Sequence, residues 1–152
     1  MAVLLVCTPG GHLLQLLSLR PAWGELSHAW VTYDSSDTRS LLADEQVFFA
    51  HGPGTRNLKN FFRNLPLAWR LVRELRPAVI LSTGAALAVP FAWVGRALGA
   101  KVVYVESLTR IERVSLSCRL ISPVINRLYV QWPELAERTP KARYAGNVFS
   151  IG

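Results

Sequence analysis

The chain repeats one pattern: a short, unbroken apolar run, a break made of glycine, proline or small polar residues, then a stretch with helical spacing. Val3-Leu4-Leu5-Val6-Cys7 is the first run, Thr8-Pro9-Gly10-Gly11-His12 the first break, and residues 13–19 the first helical stretch. The alternation continues with strands expected at 28–33, 46–50, 78–81, 102–105 and 127–131, and helices at 37–42, 57–75, 87–98 and 116–125. Runs that are apolar at every residue belong to strands buried on both faces. The pattern therefore predicts an α/β fold, a doubly wound parallel sheet between two layers of helices. Ser36 or Asp37 is expected to cap the helix at 37–42, Pro66 to kink the long helix, Pro123 to start or kink the helix at 116–125, and the polar segment after Trp132 to form a loop. With 152 residues, 51% of them hydrophobic, residues 1–152 are expected to form a single domain.

In open parallel sheets ligands sit beyond the carboxyl ends of the strands. The polar breaks that follow the strands are Thr8 to His12, Asp34 to Asp37, Ser82-Thr83-Gly84, and Glu106-Ser107 with Arg110, so several loops converge on one crevice. Gly10 and Gly11 let the chain turn tightly and present backbone N–H groups at a helix start, where an anion such as a phosphate is favoured. His12 adds an imidazole, which ordinarily titrates near neutrality. Neither the three spaced glycines of a dinucleotide fingerprint nor the Lys-Ser/Thr of a P-loop is present, so nucleotide hydrolysis has no support.

Seventeen basic residues, fourteen of them arginine, against ten acidic ones give a net charge of +7 and favour anionic partners. Nucleic acid is not expected, because the basic residues do not interleave with aromatics on a strand and no helix-turn-helix signature appears. The two cysteines, Cys7 and Cys118, lack paired spacing, so neither a disulfide framework nor a metal site is indicated, and a cytoplasmic setting fits. No signal peptide is visible. The uncharged stretch from Ala78 to Gly95 is divided by Ser82-Thr83-Gly84 and Pro90 and reads as a buried strand and helix, not a membrane span.

On the long helix Leu58, Phe61, Phe62, Leu65, Trp69 and Val72 share one side, with Lys59, Arg63, Arg70 and Arg73 on an adjoining face. A basic, aromatic amphipathic helix is the pattern of an interfacial membrane anchor; the alternative is a stripe packed on the sheet with solvated arginines. On the first reading Phe61, Phe62 and Trp69 enter the headgroup boundary and Arg63, Arg70 and Arg73 contact anionic lipid.

Pro-Gly-Gly-His at the first turn, Ser82-Thr83-Gly84 followed by Pro90, Val105-Glu106-Ser107-Leu108-Thr109-Arg110, and Gln131-Trp132-Pro133-Glu134-Leu135 leading to Gly146 together resemble the acceptor-side subunits of two-chain glycosyltransferases. This family includes bacterial PssD-type exopolysaccharide and capsule proteins and the membrane-anchoring subunit of the eukaryotic enzyme that adds the second GlcNAc to a dolichol-linked oligosaccharide. The Gly-Gly-His turn is shared more widely, including with MurG. The resemblance implies a single N-terminal-type, Rossmann-like half of a GT-B fold that binds a polyprenyl-diphosphate-linked sugar acceptor. It also implies a separate donor-binding subunit that holds most of the UDP-sugar, and no cofactor; the eukaryotic relatives usually have an N-terminal membrane helix, and in its place peripheral attachment at the cytoplasmic face of the membrane, through the amphipathic helix or the partner, is expected here.

Glycosyl transfer needs an acceptor hydroxyl deprotonated as it attacks the anomeric carbon. His12 is the candidate base, or else a donor to a backbone carbonyl that only shapes the turn. Thr8, Gly10, Gly11, Ser82, Thr83, Gly84, Glu106, Ser107 and Arg110 are candidates for holding the acceptor and its phosphates, and Asp37 is a further crevice candidate or a helix cap. Glu106 either orients His12 or a sugar hydroxyl, or pairs with Arg110. Trp132 packs against a partner or is buried within the domain. The competing class is a non-catalytic membrane scaffold that recruits and activates the catalytic subunit.

Overall fold

The computed structural model describes residues 1–53 and 57–148. Seven parallel strands form one sheet in the order β3-β2-β1-β4-β5-β6-β7: β1 Val3–Cys7, β2 His28–Tyr33, β3 Val47–Ala50, β4 Val79–Gly84, β5 Lys101–Val105, β6 Arg127–Val130 and β7 Ala142–Tyr144. The connecting helices are α1 Gly11–Ser18, α2 Arg20–Trp23, α3 Ser36–Leu41, α4 Leu58–Leu75, α5 Ala88–Ala97, α6 Leu116–Ile121 and α7 Pro133–Arg138. β1 sits at the centre and is buried along its whole length, as its unbroken apolar run requires.

Alternate residues of the strands feed opposite cores. Val3, Leu5 and Cys7 pack with Leu13, Leu16 and Trp23 of α1 and α2. Leu4, Val6 and Ile80 pack with α4 and α5, and Val102, Tyr104 and Leu128 with α5 and α6. The described residues thus form one doubly wound sheet, and the loops that carry the candidate residues gather where the strand order reverses beside β1 and β4.

Several local expectations are corrected. The cap of α3 is Ser35, whose hydroxyl accepts from the Thr38 N–H in a reciprocal capping box, not Ser36 or Asp37. β4 runs on to Gly84 because its backbone keeps pairing with β1; the register steps from Val6 opposite Ser82 to Cys7 opposite Gly84, which leaves Thr83 as the extra residue of a bulge. The segment after Trp132 is not a loop. Pro133 presets the first turn of α7, Leu135 is fully buried, and β7 then pairs with β6. α6 tightens into a 3-10 turn at Ser122–Val124 around Pro123.

α4 runs unbroken through Pro66, which lies on the exposed side, so Phe61 and Phe62 do not form a separate turn. The face it turns to the protein is Asn60, Asn64, Ala68, Leu71 and Val72. The asparagines occupy core-side positions because they hold the preceding loop: Asn64 accepts from the His51 N–H at 2.8 Å and donates to its carbonyl at 3.0 Å, and Asn60 donates to the Pro53 carbonyl at 2.9 Å. Phe61 is half-buried against the α5–α6 core and is withdrawn from the exposed stripe. Leu58, Phe62 and Trp69 stay exposed, at 73%, 62% and 47%, beside exposed Lys59, Arg63, Arg70 and Arg73. Among the described residues no helix is long and apolar enough to cross a membrane.

Candidate functional site

The bulge in β4 aims Thr83 at the first turn. His12, at the second position of α1, donates from Nδ1 to the Thr83 carbonyl at 2.8 Å, and the Thr83 hydroxyl donates back to the His12 carbonyl at 2.6 Å. A carbonyl only accepts, so this contact places the proton on Nδ1 and leaves Nε2 of the neutral ring with its lone pair. Shaping the turn falls to Nδ1, which does not exclude a role for Nε2 as a base. Gly84, at φ +120°, lies flat against it: a Cβ there would stand 2.9 Å from His12 Cε1 and Nδ1 and 3.1 Å from the Tyr104 hydroxyl.

His12 lines a cavity of about 420 Å³ together with Tyr104, Ser107, Thr109, Arg110 and Leu116. The sequence candidates divide around it. Thr83 is fully buried and positions His12, and buried Ser82 accepts from the Gly84 N–H at 3.1 Å, so both act through the backbone. Thr8 ties the turn to β4 by donating its N–H to the Gly84 carbonyl. The Gly10 N–H is held by Asp37 at 3.1 Å, which sets Asp37 beside the first turn but not in the lining of the cavity; the Ser35 hydroxyl and that N–H keep its carboxyl below the usual range. The N–H groups of Gly11 and His12 open α1 without a side-chain cap.

Glu106 makes no hydrogen bond to His12 and no ion pair with Arg110. It is 1% exposed; one carboxylate oxygen accepts from the Ser107 N–H at 2.9 Å, and the other from the Ser115 N–H at 2.7 Å and the Ser115 hydroxyl at 3.0 Å. It therefore closes the loop 107–115 on itself, and Ser115 in turn caps α6. Burial, and secondarily the Glu106 charge, push the Tyr104 phenol up and raise the Cys118 thiol to about 12. Ser107 turns to Thr109 at 2.9 Å, while Arg110 lies exposed at the cavity and forms no ion pair among the described residues.

Two residues that the sequence reading did not assign, Gln15 and Gln131, hold this loop together with Trp132, for which burial within the domain was one of two expectations. Gln15, buried on α1, accepts from the Leu108 N–H at 3.2 Å, Trp132 donates its indole N–H to the Leu108 carbonyl at 2.7 Å, and Gln131 donates to the Glu106 carbonyl at 3.4 Å. Half-buried Trp132 thus serves as a staple within the domain. The Glu-Ser-Leu-Thr-Arg and Gln-Trp-Pro segments form one assembly. Among the described residues no cluster of side chains fit for a metal ion occurs.

A single Rossmann-like half of the GT-B type, with a histidine at its first strand-to-helix turn, is the class of protein that this architecture defines. The match to the family model described as "Oligosaccharide biosynthesis protein Alg14 like" covers residues 55–148, and the chain belongs to that family. Among similar proteins, the UDP-N-acetylglucosamine transferase subunit ALG14 of Homo sapiens is 27% identical over 97% of this chain and 83% of its own length. That of Schizosaccharomyces pombe is 30% identical over 91% and 79%, and that of Yarrowia lipolytica 38% identical over 53% and 40%. Of solved structures, Acinetobacter baumannii MurG shares the fold with a TM-score of 0.76 at 16% identity, over 100% of this chain and 47% of its own. UDP-N-acetylglucosamine 2-epimerase from Rickettsia bellii does so with a TM-score of 0.73 at 11% identity, over 97% and 45%. The chain thus spans under half the length of these structures.

Proposed function

We propose that the chain is the acceptor-side subunit of a heteromeric, UDP-sugar-dependent glycosyltransferase. It binds a polyprenyl-diphosphate-linked sugar at the cytoplasmic face of the membrane, as a peripheral protein, while a separate donor-binding subunit brings the UDP-sugar. Membership of a family whose relatives are named transferase subunits supports this reading. The exposed Leu58, Phe62 and Trp69 beside a row of arginines support the membrane contact. The observation that carries the catalytic part is His12, fixed through Nδ1 with Nε2 left as an acceptor.

In the reaction the acceptor O–H bond breaks and its proton passes to His12 Nε2. The oxygen bonds to the anomeric carbon, and the bond from that carbon to UDP breaks with its electron pair leaving on the diphosphate. Arg110 and the first N–H groups of α1 hold the acceptor's own diphosphate. Thr83 and Gly84 fix the imidazole, and Glu106 with Ser115 fixes the loop that carries Arg110.

The test is transfer from UDP-sugars to a panel of short-chain polyprenyl-diphosphate sugars by the purified pair. The panel separates a PssD-type exopolysaccharide precursor from a lipid-linked oligosaccharide. His12→Ala is expected to lower kcat about a hundredfold or more. A loss below about fivefold would remove the base and leave the scaffold reading in its place.

A further inference from the structure

Four unpaired cations converge on a cavity behind the loop 107–115. The cavity measures about 320 Å³, within the size range of small-molecule sites. Arg113 reaches it from the loop, Arg119 from α6, Arg138 from α7 and Lys141 from the turn before β7. All four are exposed, and among the described residues none has a side-chain hydrogen bond or an ion pair. They face one carboxylate, Glu112, which pairs with none of them. Cations gathered in this way repel one another and leave a positive field that an anion relieves. Val114 and Leu128 add an apolar wall.

Lys141 is the least expected of the four. It holds φ +69° at the third position of a turn that the Ala142 N–H closes on the Thr139 carbonyl at 3.2 Å, with Pro140 before it. Proline followed by a left-handed residue is the pattern of a type II turn, where glycine is preferred at the left-handed position. A lysine there brings a charge that the backbone does not ask for. The same side chain lines a second hollow with Arg127 and Arg143, which extends the positive surface along the sheet edge. We propose that the cavity behind the loop binds a phosphate ester, with the phosphate on Arg113, Arg119, Arg138 and Lys141 and the attached carbons on Val114 and Leu128. The site is separate from the His12 cavity: Thr109, Arg110 and Leu116 line that one, whereas Arg113, Val114 and Arg119 line this one. It goes beyond the two-subunit reading and requires neither a base at His12 nor a donor-binding partner.

Amide NMR spectra of the full chain, titrated with glycerol 3-phosphate and with dihexanoylphosphatidylglycerol below its micellar concentration, locate the site. Saturating shifts at residues 113, 119, 138 and 141 are expected, and sodium chloride of equal ionic strength is not expected to reproduce them. Tighter binding of the lipid assigns the phosphate to a membrane headgroup; equal or weaker binding of the lipid assigns it to a soluble ester. Shifts that saturate with neither probe, that chloride reproduces, or that fall only at residues 11–13 and 110 would overturn the site. Lys141→Gly relieves the left-handed turn, so its Tm is expected to be no lower than that of wild type while its affinity for the tighter probe falls about tenfold or more, and Arg138→Gln is expected to lose affinity alike. Arg70→Gln with Arg73→Gln on α4 removes charge outside the cavity and is the control for charge alone. Affinity that survives both cavity variants, or that falls as far in the α4 control, would overturn the proposal.

Discussion

Adding one methyl group at Gly84 tests how the end of β4 sets the His12 ring. The new Cβ would stand 2.9 Å from two atoms of the His12 ring and 3.1 Å from the Tyr104 hydroxyl. The Tyr104 side chain is locked in the core, so the imidazole is the group that must swing. Swinging breaks the 2.8 Å bond from Nδ1 to the Thr83 carbonyl. Backbone strain at φ +120° contributes about 1–3 kcal/mol and the lost hydrogen bond about 1 kcal/mol, so Gly84→Ala is expected to destabilise the chain by about 2–4 kcal/mol. For a domain of this size that lowers Tm by roughly 5–12 °C.

Urea and thermal unfolding of Gly84→Ala, His12→Ala and the double variant measure the effect. Where His12 is already alanine only the strain and the Tyr104 contact remain, so the second substitution is expected to cost about 1 kcal/mol less than in the wild-type chain. Strict additivity would show that Gly84 and His12 do not meet. A Gly84→Ala chain melting within about 2 °C of wild type would refute the packing argument altogether.

Phe62→Ser with Trp69→Ser is expected to abolish flotation of the chain with anionic vesicles; equal flotation of variant and wild type would remove α4 from the membrane contact. Glu106→Gln exchanges a buried acceptor-only group for one that carries donors opposite the Ser107 and Ser115 N–H groups, at a cost of about 2–4 kcal/mol, and is expected to speed tryptic cleavage at Arg110 and Arg113. Unchanged cleavage would mean that the loop closes without Glu106. Both thiols are buried and held protonated, Cys118 up to about 12 and Cys7 higher still, so native chain is expected to resist iodoacetamide at pH 8 and urea-unfolded chain to react at both. The sign follows from the raised pKa: the stabilisation is complete below an unfolded thiol's pKa of about 8.5 and is lost as pH rises through the folded value.

The architecture was legible because β1, β2, β4 and β5 are buried on both sides, which forces their apolar runs to be continuous. What escaped were positions decided by distant partners. Asn60 and Asn64 look like solvent-facing residues, yet they sit inward because the loop at 51–53 needs their amides. α7 and β7 are largely polar because both lie at the sheet edge, where Leu135 alone is fully buried and β6 supplies the pairing. At the site, His12 and the Gly84 break are local signals. The role of Glu106 is not, because its partner Ser115 stands nine residues away, and Trp132 finds Leu108 across 24 residues.

Hydrogen bonds already made decide what is left for a ligand. Ser82, Thr83, Glu106 and the Gly10 N–H are engaged within the chain, and Ser107 pairs with Thr109. Groups remaining around the His12 cavity include its Nε2, the Ser117 hydroxyl, the opening N–H groups of α1 and the Arg110 guanidinium. These suit one acceptor hydroxyl and one phosphate-bearing group. They do not supply a second set of charges for a departing nucleotide diphosphate. On the proposed function the crevice provides for one anion, and the other requires cations or N–H groups from the donor-binding subunit.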